Sequence, residues 1–349
     1  MDAPPSPQPL EPTRKRPRSE SEPTASLQHA FSRDERFWYE DGNVIIIAQG
    51  VGFRVFKGLL AADSEVFRDM LSLAKPAPDL SRESGLDDCP VVHVTDTAAE
   101  VRSLLAILLG GRRYMRRLKF EFDDVANCIR LAHKYGIQDV LEDSLEELKK
   151  YFPATFDAFA TRLTSETSTD AIVAANLARL TNTLSILPAA LYGCCQLDGK
   201  ELLEGKVRKD GVVDTLNFED LGHCTDGMRR LCTLNVQLAS DVFSPLDNAE
   251  CVIIDRCNTS LATLQLKWIH RIPRGNGDVL APWDLRGYDR KKKPKPSSPL
   301  CASCIALLEA RATTLRQRIW SELPDVFNLK EGSEEVVSQE DAVMSQGDS

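Results

Sequence analysis

Asp41-Gly42-Asn43-Val44-Ile45-Ile46-Ile47-Ala48-Gln49-Gly50-Val51-Gly52-Phe53-Arg54-Val55-Phe56-Lys57-Gly58-Leu59-Leu60-Ala61-Ala62-Asp63-Ser64-Glu65-Val66-Phe67 is the stretch that decides the fold. Val44 to Ala48 is a short apolar run rich in β-branched residues, the pattern of a buried strand. Gln49-Gly50-Val51-Gly52 reads as a turn. Phe53-Arg54-Val55-Phe56 then alternates in part, so the two apolar segments are predicted to form a hairpin. Leu59 and Leu60 open a helical stretch. Ser64 is placed to cap the next helix, which carries Val66, Phe67, Met70 and Leu71 along one face.

Upstream, the ordered part begins at Phe37-Trp38-Tyr39. Residues 1–30 are rich in Pro, Ser, Glu and Thr and poor in aliphatics, so burial there cannot offset the entropy of ordering. Downstream, Pro76 and Pro78 fall in a loop over about 75–90. Val91-Val92-His93-Val94 is a third strand. Thr97-Ala98-Ala99-Glu100 has the capping-box pattern, and Val101, Leu104, Leu105 and Leu108 follow at helical spacing up to Gly110-Gly111. Asp123 and Asp124 stand at another helix start, where the helix dipole favours acids. Val125, Cys128, Ile129 and Ala132 form its stripe and Gly136 stops it. Leu141, Leu145 and Leu148 mark a further helix that ends near Pro153.

Strand, strand, helices, strand, helix and a closing helical pair within about 115 residues is an α+β order, too short of βαβ repeats for a doubly wound sheet. Beyond Pro153 the chain reads as helical, for example Ala171 to Leu180 and Leu184 to Tyr192, with no strand pattern. The predicted organisation is a disordered tail (1–30), an α+β module (31–152), a helical region (153–270), a basic Pro/Gly-rich loop (271–299), a last helix (300–329) and an acidic disordered tail (330–349).

A chain of 349 residues suits two domains with tails. Its 42% hydrophobic and 27% charged content is ordinary for a globular protein. The formal charge of −9 argues against a whole-chain nucleic-acid binder, whose affinity would rest on phosphate neutralisation. The N-terminus lacks an apolar leader core, and no apolar run approaches the ~18 residues needed to span a bilayer. The expected location is therefore cytoplasmic or nuclear, with the ten cysteines mostly reduced.

Several positions together resemble the BTB/POZ domain over residues 37–150. Asp41 followed by Val44 and Ile46 is similar to that family's Asp-then-strand opening. Phe53-Arg54-Val55-Phe56-Lys57 resembles its hydrophobic-x-Val-His-Lys segment, with Phe56 where the family commonly has His. Gly58 to Phe67 resembles its Leu-Ala-x-x-Ser-x-x-Phe helix, Val92-His93-Val94 its next strand, and Asp123 to Tyr135 with Ile137 to Leu148 its closing hairpin of helices. Leu191-Tyr192-Gly193-Cys194-Cys195, the Cys301-x-x-Cys304 helix and Trp320 with Leu323-Pro324 resemble C-terminal extensions of the BTB proteins abundant in mushroom-forming fungi.

The resemblance implies a small mixed sheet flanked by helices. It also implies a scaffold that dimerises through this module, with itself or another BTB protein, and recruits protein partners. A substrate adaptor of a cullin-type ubiquitin ligase and a nuclear transcriptional regulator using basic segments are the alternatives. It places Asp41, Phe56, Lys57, Ser64 and Phe67 in the interaction region, with Asp41 and Lys57 as a charged pair near the dimer groove.

No nucleotide, metalloprotease or hydrolase motif is present, so neither an enzyme nor a cofactor is expected. A thiol pair of Cys194 or Cys224 with His223 would have to meet in space. Cys194, Cys195 and Cys232 sit in helical patterns and are expected in the core. Cys301-Ala302-Ser303-Cys304 has the spacing that lets two thiolates reach one zinc, with Cys257 and Cys251 upstream and His270 between the pairs. A metal there would close a long loop. Packed thiols are the competing reading, since Cys251 and Cys257 lack the tight spacing and free cysteines are among the most buried residues. Arg14, Lys15, Arg16 and Arg18, and Lys291, Lys292, Lys293 and Lys295, are nuclear-import candidates, with a solvated charge run as the competing reading; nucleic acid is not an expected partner, and these basic segments are where it would be contacted.

Overall fold

The computed structural model describes residues 31–73, 89–110, 121–161, 168–270, 278–282 and 300–329. Strands β2 (Val44–Ala48) and β3 (Val51–Val55) pair antiparallel around Gln49-Gly50. Both loop residues take positive φ, 46° and 74°, which gives the two-residue turn whose twist matches the strands. The turn is shorter than predicted because Val51 and Gly52 already pair. Every residue of β2 is buried. Val44, Ile46 and Ala48 enter the main core of the module. Ile45 and Ile47 point the other way, into a small cluster with Cys89, Phe31, Trp38 and Val91. A strand covered on both faces has no solvent side, so it reads as a continuous apolar run rather than an alternation.

Strand β4 (Val91–His93) runs parallel to β2, and β1 (Ser32–Trp38) parallel to β3, giving the order β1-β3-β2-β4. β1 starts five residues before the Phe37 at which the ordered part was predicted to begin. Its charged residues hid it. Asp34 is buried, accepts from the N–H groups of Arg36 (3.0 Å) and Phe37 (2.9 Å), and pairs with Arg102 at 2.8 Å.

Helices α1 (Lys57–Ala62) and α2 (Glu65–Leu73) follow the hairpin. Ser64 caps α2 by accepting from the Phe67 N–H at 3.0 Å, as predicted, and its own hydroxyl donates to the Tyr135 carbonyl. In α3 (Ala98–Gly110) the capping box forms in both directions, Glu100 N–H to Thr97 Oγ1 at 3.1 Å and Thr97 N–H to Glu100 Oε2 at 2.9 Å.

Helix α4 (Phe122–Tyr135) and helix α5 (Gln138–Tyr151) close the module. The predicted single stripe of α4 divides in two. Cys128, Leu131, Ala132 and Tyr135 pack under the sheet. Phe122, Val125, Ala126 and Ile129 enter a second core with Leu148, Phe152 and Phe156.

That second core is helical. It is built from α6 (Phe156–Thr161), α7 (Asp170–Leu180), α8 (Leu187–Cys194), α9 (Gly199–Glu204), α10 (Phe218–Val242), α11 (Ile254–Ile269), α12 (Ala302–Ser321) and α13 (Leu323–Val326). Gly227 of α10 lies against the Phe327 ring, which leaves no room for a Cβ there. Two features depart from the sequence reading. A two-residue hairpin, β5 (Lys206–Val207) with β6 (Val213–Asp214), interrupts the helices. Within the predicted basic loop, Val279 and Leu280 are buried in the helical core. Tyr192 Oη holds them, donating to Asp278 Oδ1 at 2.6 Å and accepting from the Leu280 N–H at 3.0 Å. Among the described residues, no helix is long and apolar enough to cross a membrane.

Because Ile129 is fully buried where the cores adjoin, Ile129→Ala removes three methyl(ene) groups from a site that cannot collapse. It should cost about 3 kcal/mol. Urea unfolding of the full chain measures this, and a loss below about 1 kcal/mol would contradict the packing described.

Candidate functional site

On α2 the apolar arc is wider than the core that α2 covers. Phe67 and Leu71 are buried, with the Phe67 ring stacked on Tyr135 at 4.2 Å. Val66, Met70 and Leu73, at i, i+4 and i+7, form an adjoining stripe on the outside of the helix. Val66 is 45% exposed and Leu73 79% exposed, and Met70 is half-buried. Leu59 on α1 is also exposed. An amphipathic helix on a finished surface would carry polar residues on that stripe.

The predicted interaction residues separate around this face. Ser64 and Phe67 lie inside the module. Phe56 is half-buried against Tyr39, with ring centroids 5.3 Å apart. Asp41 is exposed, and the expected Asp41–Lys57 pair does not form. Lys57 instead donates through Nζ to the Leu71 carbonyl at 2.9 Å. That carbonyl lies in the last turn of α2, where the helix leaves acceptors unpaired and its dipole attracts a cation.

A second feature that the sequence did not reveal is a charged crevice of about 550 Å³ between the module and the β5–β6 hairpin. Arg208 grips Asp214 with two bonds of 2.6 Å and reaches Glu100 at 2.8 Å. Arg130 of α4 joins the same Asp214 at 3.1 Å. Lys206 sits between Asp123 and Asp170, the latter at 2.5 Å, with its ammonium over the Phe122 ring. The Asp214 hydrogen bonds raise the pKa of Arg208. Burial opposes the charge on Lys206, and its bonds to Asp123 and Asp170 outweigh that, so its pKa also rises. These three cations are all paired, Arg130 and Arg208 through the shared Asp214 and Lys206 through Asp123 and Asp170, which makes the crevice a clamp between the two halves. The signal was the basic-acidic run Lys206 to Asp214, but its partners lie far away in sequence.

The structure also brings the candidate thiols Cys251, Cys257, Cys301 and Cys304 together, with the four sulfurs within 4.8 Å of one another. His270 stands exposed at the end of α11, outside this group. Cys301 is the N-cap residue of α12, and its thiol is pushed down to about 7, first by the hydrogen bond from the Cys304 N–H. Cys194, Cys195 and Cys224 are buried in the helical core, where burial holds the Cys194 thiol well above its ordinary value. Cys224 is fully buried, so a substrate in solvent does not reach it beside His223. Cys232, expected in the core, is exposed on α10. The import candidates Arg14, Lys15, Arg16, Arg18, Lys291, Lys292, Lys293 and Lys295 lie outside the described residues.

Residues 39–151 match the family model for the BTB/POZ domain. The match begins just after β1 and ends at the last residue of α5. It covers the Asp41 to Phe67 stretch and the closing helices that carry the resemblance. No curated protein matches the chain.

Removing Asp214 leaves Arg130 and Arg208 facing each other, half-buried, without their shared counter-ion. Asp214→Ala should therefore destabilise the chain by about 3 kcal/mol. A surface control, Asp226→Ala, should change stability by less than about 0.5 kcal/mol. Equal and small losses in urea unfolding would show that the clamp contributes nothing.

Proposed function

With residues 39–151 a BTB/POZ domain, we propose that the protein is a non-enzymatic interaction scaffold that self-associates through the outer face of α1 and α2. The BTB/POZ domain itself supports a protein-interaction role. The observation that carries the finer reading is the outer edge of α1 and α2, where Val66, Leu73 and Leu59 are exposed among the described residues, with Met70 beside them packed in part against the core. A second copy is the occupant that fits best, because a two-fold contact sets the same stripe against itself and needs no complementary surface elsewhere. Such a contact buries apolar area, as the core of a stable interface requires.

The second half of the reading concerns what the dimer presents. The clamp at Asp214 and the shared helix α4 fix the helical region to the BTB/POZ domain. Partners bound by one half are then held at a set distance and orientation from the other, and dimerisation would pair two such surfaces.

Light scattering of the full chain over a concentration series tests self-association. A mass of two chains should persist at micromolar concentration. Val66→Glu combined with Leu73→Glu should return a single-chain mass while keeping a cooperative unfolding transition, now independent of protein concentration, since both side chains are exposed in the single chain. A monomeric wild type, or a charged variant that remains dimeric, would overturn the reading.

A further inference from the structure

We propose that Cys251, Cys257, Cys301 and Cys304 bind one structural Zn²⁺ that pins the start of α11 to the start of α12. The proposal is independent of self-association. Its geometric basis is the mutual spacing of the sulfurs. Cys251 and Cys257 Sγ are 3.7 Å apart, and Cys301 and Cys251 Sγ 3.6 Å. A disulfide would need about 2.05 Å. Four thiolates at ~2.3 Å from a tetrahedral zinc lie ~3.8 Å from one another, close to the separations observed. All six pairs fall within 4.8 Å. A cluster of two or more irons would need its sulfurs spread more widely.

The surroundings match a metal site as well. Cys304 Sγ accepts from Asn248 Nδ2 at 3.5 Å, and the same amide donates to Ser303 Oγ at 2.9 Å. Hydrogen bonds to ligand sulfurs orient them and favour their charged form. The N-terminal turn of α12 adds a positive dipole end beneath Cys301 and Cys304. With four protein ligands, no position is left for water or substrate, which makes the site structural. Binding converts four thiols and Zn²⁺ into a dianionic tetrathiolate and releases four protons.

The fold has a use for such a pin. Of the 16 residues of α11, only Cys257 and Leu261 are fully buried. Ile254, Leu264, Trp268 and Ile269 pack against the core only in part, so a metal pin at the first turn would add to this anchorage. Cys251 and Cys301 are 50 residues apart in sequence, and one ion would close that whole span, including the basic run Lys291 to Lys295. Sequence spacing undervalued the site because Cys251 and Cys257 reach it from a loop and a helical first turn rather than from one tight knuckle.

The test is metal and thiol analysis of the full chain, expressed with zinc and held in metal-free buffer with a phosphine reductant. The expected result is about one zinc per chain. A mercurial reagent should release it, and Co²⁺ exchanged into the site should show tetrahedral thiolate bands. Cys301→Ser should cut bound zinc at least tenfold, and Cys232→Ser should leave it unchanged. Should Cys301→Ser fail to fold, the wild-type stoichiometry and the cobalt spectrum still decide. A cooperatively folded wild-type chain without zinc overturns the proposal, as does iron in its place or undiminished zinc in Cys301→Ser.

Discussion

The structure depends on the burial of α4 from both sides. Cys128, Leu131, Ala132 and Tyr135 close the core beneath the sheet, while Phe122, Val125, Ala126 and Ile129 supply one wall of the helical core. A helix apolar around most of its circumference cannot face water. The BTB/POZ domain of this chain is therefore not finished at Tyr151. It is completed by the helices that follow. The ion pairs of Arg130, Arg208, Asp214 and Glu100 lie beside this seam and add directional bonds to its non-directional packing.

The charged crevice acts as a joint between the two halves. Buried charges are costly unless paired, and here each is paired. The sets also fix register. Arg208 reaches Glu100, whose other oxygen completes the capping box of α3. The hairpin is thus tied to the same residue that starts a helix of the BTB/POZ domain. The exposed residues of α2 and the surfaces of the helical region therefore stay in fixed relation.

The BTB/POZ domain was legible in the sequence because its signals are local. The Val44 to Ala48 run, the Ser64 cap, the Thr97 to Glu100 box and the Gly136 stop each depend on neighbours within a few residues. What was missed depends on distant partners. Val125, Cys128, Ile129 and Ala132 read as one stripe, since helical periodicity cannot tell one core from two. Val279 and Leu280 read as loop because Tyr192, which fastens them, lies some ninety residues away. Lys57 was assigned to Asp41 by family position, but a nearby helix end offered it a better acceptor. The thiol group was read in part. Cys251, Cys257, Cys301 and Cys304 were all named as candidates, but only the fold shows that their four sulfurs meet and that His270 stays outside.

The central claim is that the BTB/POZ domain and the helical region form one cooperative unit joined through α4. Native-state hydrogen exchange of the full chain, followed by mass spectrometry across a denaturant series, tests it most directly. Amides of β2 in the BTB/POZ domain and of α8 in the helical region should open with the same free energy and the same denaturant dependence. Exchange of α8 at low denaturant while β2 stays protected, or the reverse, would contradict it.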